Sequence, residues 1–171
     1  CIRDRLIDPQ DIPRLSQLRV IASMQPIHAP SDQEAAEAFW GERSATAYAW
    51  RSLANHNTLM AFGSDAPVES PNPFFGLGAA VSRQLPRSER TPWRPEQSLT
   101  LEEALRGFTL GAAFAAGMET RLGRLTSGCL ADLIVLDQDP FKLPAHEISS
   151  LAPLATMVGG EWVYHNLKRS S

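Results

Sequence analysis

Apolar and polar positions follow two alternating periods through the first part of the chain. Asp8-Pro9-Gln10-Asp11 offers a capping residue, an early proline and an acidic first turn, which predicts a short helix over residues 9–18. A β-favouring run at 20–25 follows at once. Ser31 with Glu34 has capping-box spacing and predicts a second helix through Ala35, Ala36 and Phe39. Residues 46–55 then place Ala47, Trp50, Leu53 and Ala54 at helical spacing, and 58–62 reads as another strand. Helix-then-strand units of this kind are the pattern of an α/β protein.

Pro67, Pro71, Pro73, Pro86, Pro92 and Pro95 punctuate the next stretch, which reads as loop with a short helix near 76–84. A loop of that length is commonly a lid or pocket wall, and Trp93 is its best candidate for a wall residue. Thr100 and Glu103 form a second capping-box pattern. Leu101, Ala104, Leu105, Phe108, Ala112 and Ala115 behind it lay out one apolar helix face ending near Gly117. After Gly123 the period changes: 133–136 reads as a strand, and 157–164 as a hairpin about Gly159-Gly160. The expected division is therefore 1–120 and 121–171.

Composition narrows the class. The chain has 171 residues, 43% hydrophobic and 20% charged, as globular proteins do. A net charge of -3 with no long basic run leaves no field for nucleic acid. The apolar runs fall far short of the roughly 20 residues of a membrane span. Cys1 and Cys129 form neither a disulfide framework nor a zinc-type pair, so both read as plain thiols in a reducing compartment, and the expected location is cytoplasmic.

Two residues invite chemistry. Asp65 ends the strand-like run 58–62 within Gly63-Ser64-Asp65-Ala66-Pro67, where a carboxylate can bind a divalent ion and accept a proton from the water it activates. His28 occupies the same place after the run 20–25, and one imidazole nitrogen can ligate a metal while the other is oriented by an acceptor. Each also has a plain structural reading: Asp65 as the cap of a turn over 65–68, His28 as a hydrogen-bonded strand-end residue. His56, His146 and His165 have no partner at ligand spacing. Glu69, Glu102, Glu103 and Glu119 read as loop, helix-start and surface charges. No nucleophile elbow, P-loop or dinucleotide fingerprint is present.

The segments 22–28, 48–53, 62–68, 99–105 and 123–136, in that order, resemble the C-terminal part of amidohydrolase-superfamily proteins, in particular the amidohydrolase 3 branch that includes N-substituted formamide deformylases. The resemblance implies the C-terminal part of a (β/α)8 TIM barrel followed by strands of a small β-sandwich. It implies a divalent metal ion, zinc first, with His28 and Asp65 as ligands and Asp65 as proton carrier. The implied reaction is hydrolysis of a C–N amide bond in a small molecule by metal-activated water. The paired histidines after the first barrel strand, the bridging lysine or acid and the fifth-strand histidine of such proteins have no counterpart here. The chain on that view is a C-terminal fragment, inactive by itself, whose partner is the missing N-terminal half of the barrel or another copy of itself. The alternative is a noncatalytic truncated module that self-associates or pairs with the missing half.

Overall fold

Parallel pairing of two short strands sets the frame. In the computed structural model, which describes residues 5–166, β1 (Ala22–Met24) lies alongside β2 (Met60–Phe62), with Ala22 opposite Met60 and Met24 opposite Phe62. A parallel pair needs a long crossover. Here the connection holds α2 (His28–Ser31), α3 (Gln33–Trp40), a 3₁₀ turn (Gly41–Thr46) and α4 (Trp50–Asn55), with α1 (Ile12–Gln17) ahead of β1. All three β2 residues are buried, as in a strand covered on both faces. Its neighbours include the fully buried Trp50, whose ring centroid lies 6.4 Å from that of Phe62.

The elements depart from expectation where distant residues intervene. No box forms between Ser31 and Glu34: Ser31 ends α2, and Asp32 stands before α3 without a side-chain cap. The Asp32 carboxylate is instead taken by Arg5 Nη1 at 2.7 Å and by the Tyr48 hydroxyl. The helix expected over 46–55 starts only at Trp50, because Tyr48 has φ +52°, a left-handed conformation that costs a bulky residue about 1–2 kcal/mol.

Helix α5 (Pro73–Ser82) begins earlier than expected, since Asn72 caps it by accepting from the Phe74 N–H at 3.0 Å and Pro73 opens it. Trp93, expected as a wall residue, is instead part of the core. It is 5% exposed, its indole N–H donates to Glu37 Oε1 at 2.8 Å, and its carbonyl accepts from Arg83 Nε at 2.9 Å. The Arg83 guanidinium lies 4.2 Å from the Trp50 ring centroid. Burial pushes its pKa down to about 9, which still leaves it charged at neutral pH. The proline-rich stretch is thus fastened to the core near Trp93.

The Thr100–Glu103 box forms as expected at the start of α6 (Leu101–Arg106): the Glu103 N–H donates to Thr100 Oγ1 at 3.2 Å and the Thr100 N–H to Glu103 Oε2 at 2.7 Å. Both Glu103 oxygens also accept from Arg51, at 2.8 and 2.6 Å. The hydrogen bonds from Arg51 are the main reason its carboxyl pKa is lowered. A carboxyl depressed in the fold stabilises it above the unfolded-state glutamate pKa, and that contribution disappears as pH falls through the folded value. Glu103→Gln keeps one acceptor oxygen for the capping box, so its expected cost is the charge together with the Arg51 hydrogen bond now met by Oε1. Because the pair is partly exposed, that cost is about 1 kcal/mol at pH 7, fading below about pH 4 as the parent loses the same interaction. Urea denaturation of both proteins across pH checks it.

Helix α6 continues through one π-helical turn (Gly107–Gly111) into α7 (Ala112–Ala115). The turn packs directly on β2: a Cβ at Gly107 would lie 2.3 Å from the Phe62 ring. An antiparallel sheet follows, in the order β3 (Leu133–Leu136), β4 (Pro153–Val158), β5 (Glu161–His165). Its hairpin turns at Gly159 and Gly160, both with positive φ, as the sequence predicts. A 3₁₀ turn ahead of β4 (Ala145–Ser150) seats this part on α5, where a Cβ at Gly78 would approach Ser149 to 2.9 Å. Among the described residues, Cys129 is a free thiol and no helix is long and apolar enough to cross a membrane; Cys1 lies outside them.

Candidate functional site

Because β1 and β2 run in the same direction, the segments that leave them emerge at the same end. His28 lies four residues beyond Met24, at the start of α2, after a turn in which its N–H donates to the Gln25 carbonyl at 3.1 Å. Asp65 lies three residues beyond Phe62 and has φ +62°, a conformation aspartate tolerates better than most residues. The structure brings the two together: His28 Nε2 is 3.2 Å from Asp65 Oδ2. The His28 side chain is 4% exposed and that of Asp65 27%. A turn over 65–68 does exist, but the Asp65 backbone carbonyl makes it by accepting from the Val68 N–H at 2.9 Å. The carboxylate therefore remains directed at the imidazole.

The same turn returns the chain towards His28. Glu69, read from sequence as a loop charge, places Oε1 3.8 Å from His28 Nδ1 with its side chain 25% exposed. That separation exceeds a hydrogen bond, so Glu69 acts on the ring as a nearby charge. The imidazole thus has a carboxylate at each nitrogen. The one sequence signal for Glu69 was its position four residues after Asp65, across a proline turn. His146 pairs with its neighbour Glu147 at 3.7 Å, His56 follows α4, and His165 ends β5, so none joins this group.

The donor chemistry suits a metal in part. With metal–ligand bonds of about 2.0–2.1 Å, the edge of a tetrahedron is about 3.3 Å, close to the 3.2 Å between His28 Nε2 and Asp65 Oδ2. The same distance suits a hydrogen bond when Nε2 carries the proton. Among the described residues no group of three or more His, Cys, Asp or Glu side chains forms a metal site, so the pair is two donors of the three or four a catalytic ion takes from protein. A separate apolar cavity of about 410 Å³ lies between α5, α6 and the antiparallel sheet, lined by Leu77, Phe108 and Ile134 among others, and neither His28 nor Asp65 borders it.

Fold and sequence together define the class. The structure is similar to that of an uncharacterized metal-dependent hydrolase from Pyrococcus furiosus, with a TM-score of 0.69 and 31% identity, covering 82% of this chain and 28% of that one. The chain belongs to the amidohydrolase family, whose profile matches residues 1–164. It is 35% identical over 158 residues to Protein LONG AFTER FAR-RED 3 of Arabidopsis thaliana, covering 91% of this chain and 27% of that protein. It is 32% identical over 110 residues to the N-substituted formamide deformylase of Arthrobacter pascens, covering 64% of this chain and 20% of the deformylase. The chain therefore spans less than a third of the length of either curated relative. The resemblance drawn from the five ordered segments holds at the level of the family.

Proposed function

We propose that this chain contributes to a metal-dependent hydrolase acting on C–N bonds of a small, non-peptide substrate, with Asp65 and His28 at the site. Residues 1–120 would belong to a (β/α)8 barrel and 121–171 to a small β-sandwich. The observation that carries the reading is the 3.2 Å approach of His28 to Asp65 beyond the carboxyl ends of adjacent parallel strands, where barrel enzymes build their sites. If β2 is the last barrel strand, its direct pairing with β1 makes β1 the seventh. Among the described residues, β1 and β2 are then the strands that belong to the barrel.

A divalent ion, zinc first, would be held by His28 Nε2 and Asp65 Oδ2 with donors from outside the described residues, and when bound it supplies Lewis acidity for water and the scissile carbonyl. The other Asp65 oxygen, Oδ1, accepts the proton that the attacking water releases as the C–O bond forms. It returns that proton to the leaving nitrogen as the C–N bond breaks, giving an acid and an amine. His28 Nε2 and Asp65 Oδ2 would face each other across an edge of that ion's coordination shell. Glu69, beside Nδ1, would favour the proton on that nitrogen once an ion takes the Nε2 lone pair. The deep burial of His28 keeps solvent from competing for the same atoms.

The test grafts these 171 residues in place of the matching C-terminal segment of the Arthrobacter deformylase. Expected are bound metal in near-stoichiometric amount and hydrolysis of an N-substituted formamide, with no turnover by the 171-residue chain alone. A folded chimera that loads metal yet hydrolyses nothing would favour the noncatalytic module.

A further inference from the structure

We propose that Tyr48 and Asp32 form a positioning clamp on the single helical turn that carries His28, an inference that rests on reading His28 as a site residue. Helix α2 has four residues and no side-chain cap at its start. A segment that short has no helical stability of its own, so contacts from outside must order it. The contact sits at its end: the Asp32 N–H donates to the His28 carbonyl at 2.8 Å. The Asp32 carboxylate in turn accepts from the Tyr48 hydroxyl and from Arg5 Nη1 at 2.7 Å. Arg5 is 41% exposed along its side chain, where solvent screens the pair, whereas Tyr48 is buried. Tyr48 is therefore the stronger anchor.

Tyr48 is itself held from every side. Its N–H donates to the Arg5 carbonyl at 2.9 Å, and its carbonyl accepts from the Trp50 N–H at 2.9 Å and Arg83 Nη1 at 3.1 Å. Its ring stands edge-on to Trp50 and Trp93, with centroids 6.2 and 6.0 Å away. Burial, followed by the hydrogen bond to Asp32, raises the phenol pKa, so the hydroxyl remains a donor. A bulky residue at φ +52° persists only where its surroundings over-determine it, and such positions gather where a fixed geometry has a use. Here the fixed geometry delivers one hydroxyl to the residue that closes the His28 turn. The clamp acts through His28 and touches no reacting atom.

The test uses the 171-residue chain with isotope-labelled histidine, the His28 signals being assigned by their loss in His28→Gln. Tyr48→Phe keeps the ring and removes only the hydroxyl. The expected result is that the His28 ring signals shift and broaden and its tautomer ratio changes, while those of His56, His146 and His165 stay in place. A contribution to stability alone lowers the melting temperature and leaves His28 in the folded protein unmoved; that result overturns the clamp. Should Tyr48→Phe not fold, Asp32→Asn, which keeps an acceptor oxygen, is compared with Asp32→Ala. His28 near its parent position in the first and displaced in the second supports the clamp, and equal behaviour in both overturns it. Zinc titration of the deformylase chimera judges the metal reading separately: no uptake there with His28 displaced in Tyr48→Phe removes the metal role and leaves the clamp standing.

Discussion

Asparagine in place of Asp65 is expected to lower turnover of an N-substituted formamide by the chimera about 100- to 10,000-fold, the range for loss of a positioned acid–base group. The substitution is nearly isosteric, and asparagine accepts the left-handed φ of +62° as readily as aspartate. The turn should survive too, because the backbone carbonyl of residue 65 makes its bond to Val68. What is lost is the negative charge facing His28 and the oxygen that takes the proton. Both kcat and kcat/KM should fall, since the proton acceptor matters in the transition state more than in substrate binding. Metal content measured on the same samples separates lost affinity from lost proton transfer. A decrease below tenfold, with metal retained, would identify Asp65 as the turn residue of the plainer reading.

The candidate site was half legible in the sequence, and the division has a physical cause. His28 and Asp65 could be found because each follows a β-favouring run directly, and parallel strands carry such residues to one end. Glu69 could not, since its approach to His28 depends on a turn that folds back across another strand's exit. The Thr100–Glu103 box was readable because its partners are three residues apart; Arg51 reinforces it without changing it. Ser31 and Glu34 have the same spacing and make no box, because Ser31 is the last residue of α2 and Glu34 Oε1 accepts from Arg90 Nη1 at 2.7 Å. Tyr48 cut short the helix expected over 46–55, through a backbone conformation that helical periodicity does not encode. Trp93 was misplaced for a related reason. Prolines mark a loop but say nothing of Arg83 and Glu37, which draw that loop inward.

The glycines after α6 carry the same lesson into stability. Read as a pattern, residues 101–115 are one amphipathic helix; in the structure, Gly107–Gly111 make a π turn against β2. Alanine at Gly111 is expected to destabilise the fold by about 3 kcal/mol, the upper end of the usual cost of overpacking. Its Cβ would lie 2.0 Å from the Met60 carbonyl oxygen and 3.1 Å from the carbonyl carbon, both backbone atoms of a fully buried strand. Alanine's helix propensity favours the variant by only about 1 kcal/mol, so the clash prevails. Gly107→Ala meets the Phe62 ring, a side chain rather than backbone but one packed against Trp50 and Phe108, and should cost nearly as much. Gly63→Ala is the control, having nothing within 4 Å of the new carbon and no positive φ. Urea midpoints for the three variants check the order, and a loss at Gly111 no larger than at Gly63 would refute the tight seating of the π turn. Relief of the clash requires β2 and the turn to separate. Since Asp65 follows β2 by three residues while His28 depends on β1, α2 and Tyr48, that separation should loosen the contact between imidazole and carboxylate as well as the core.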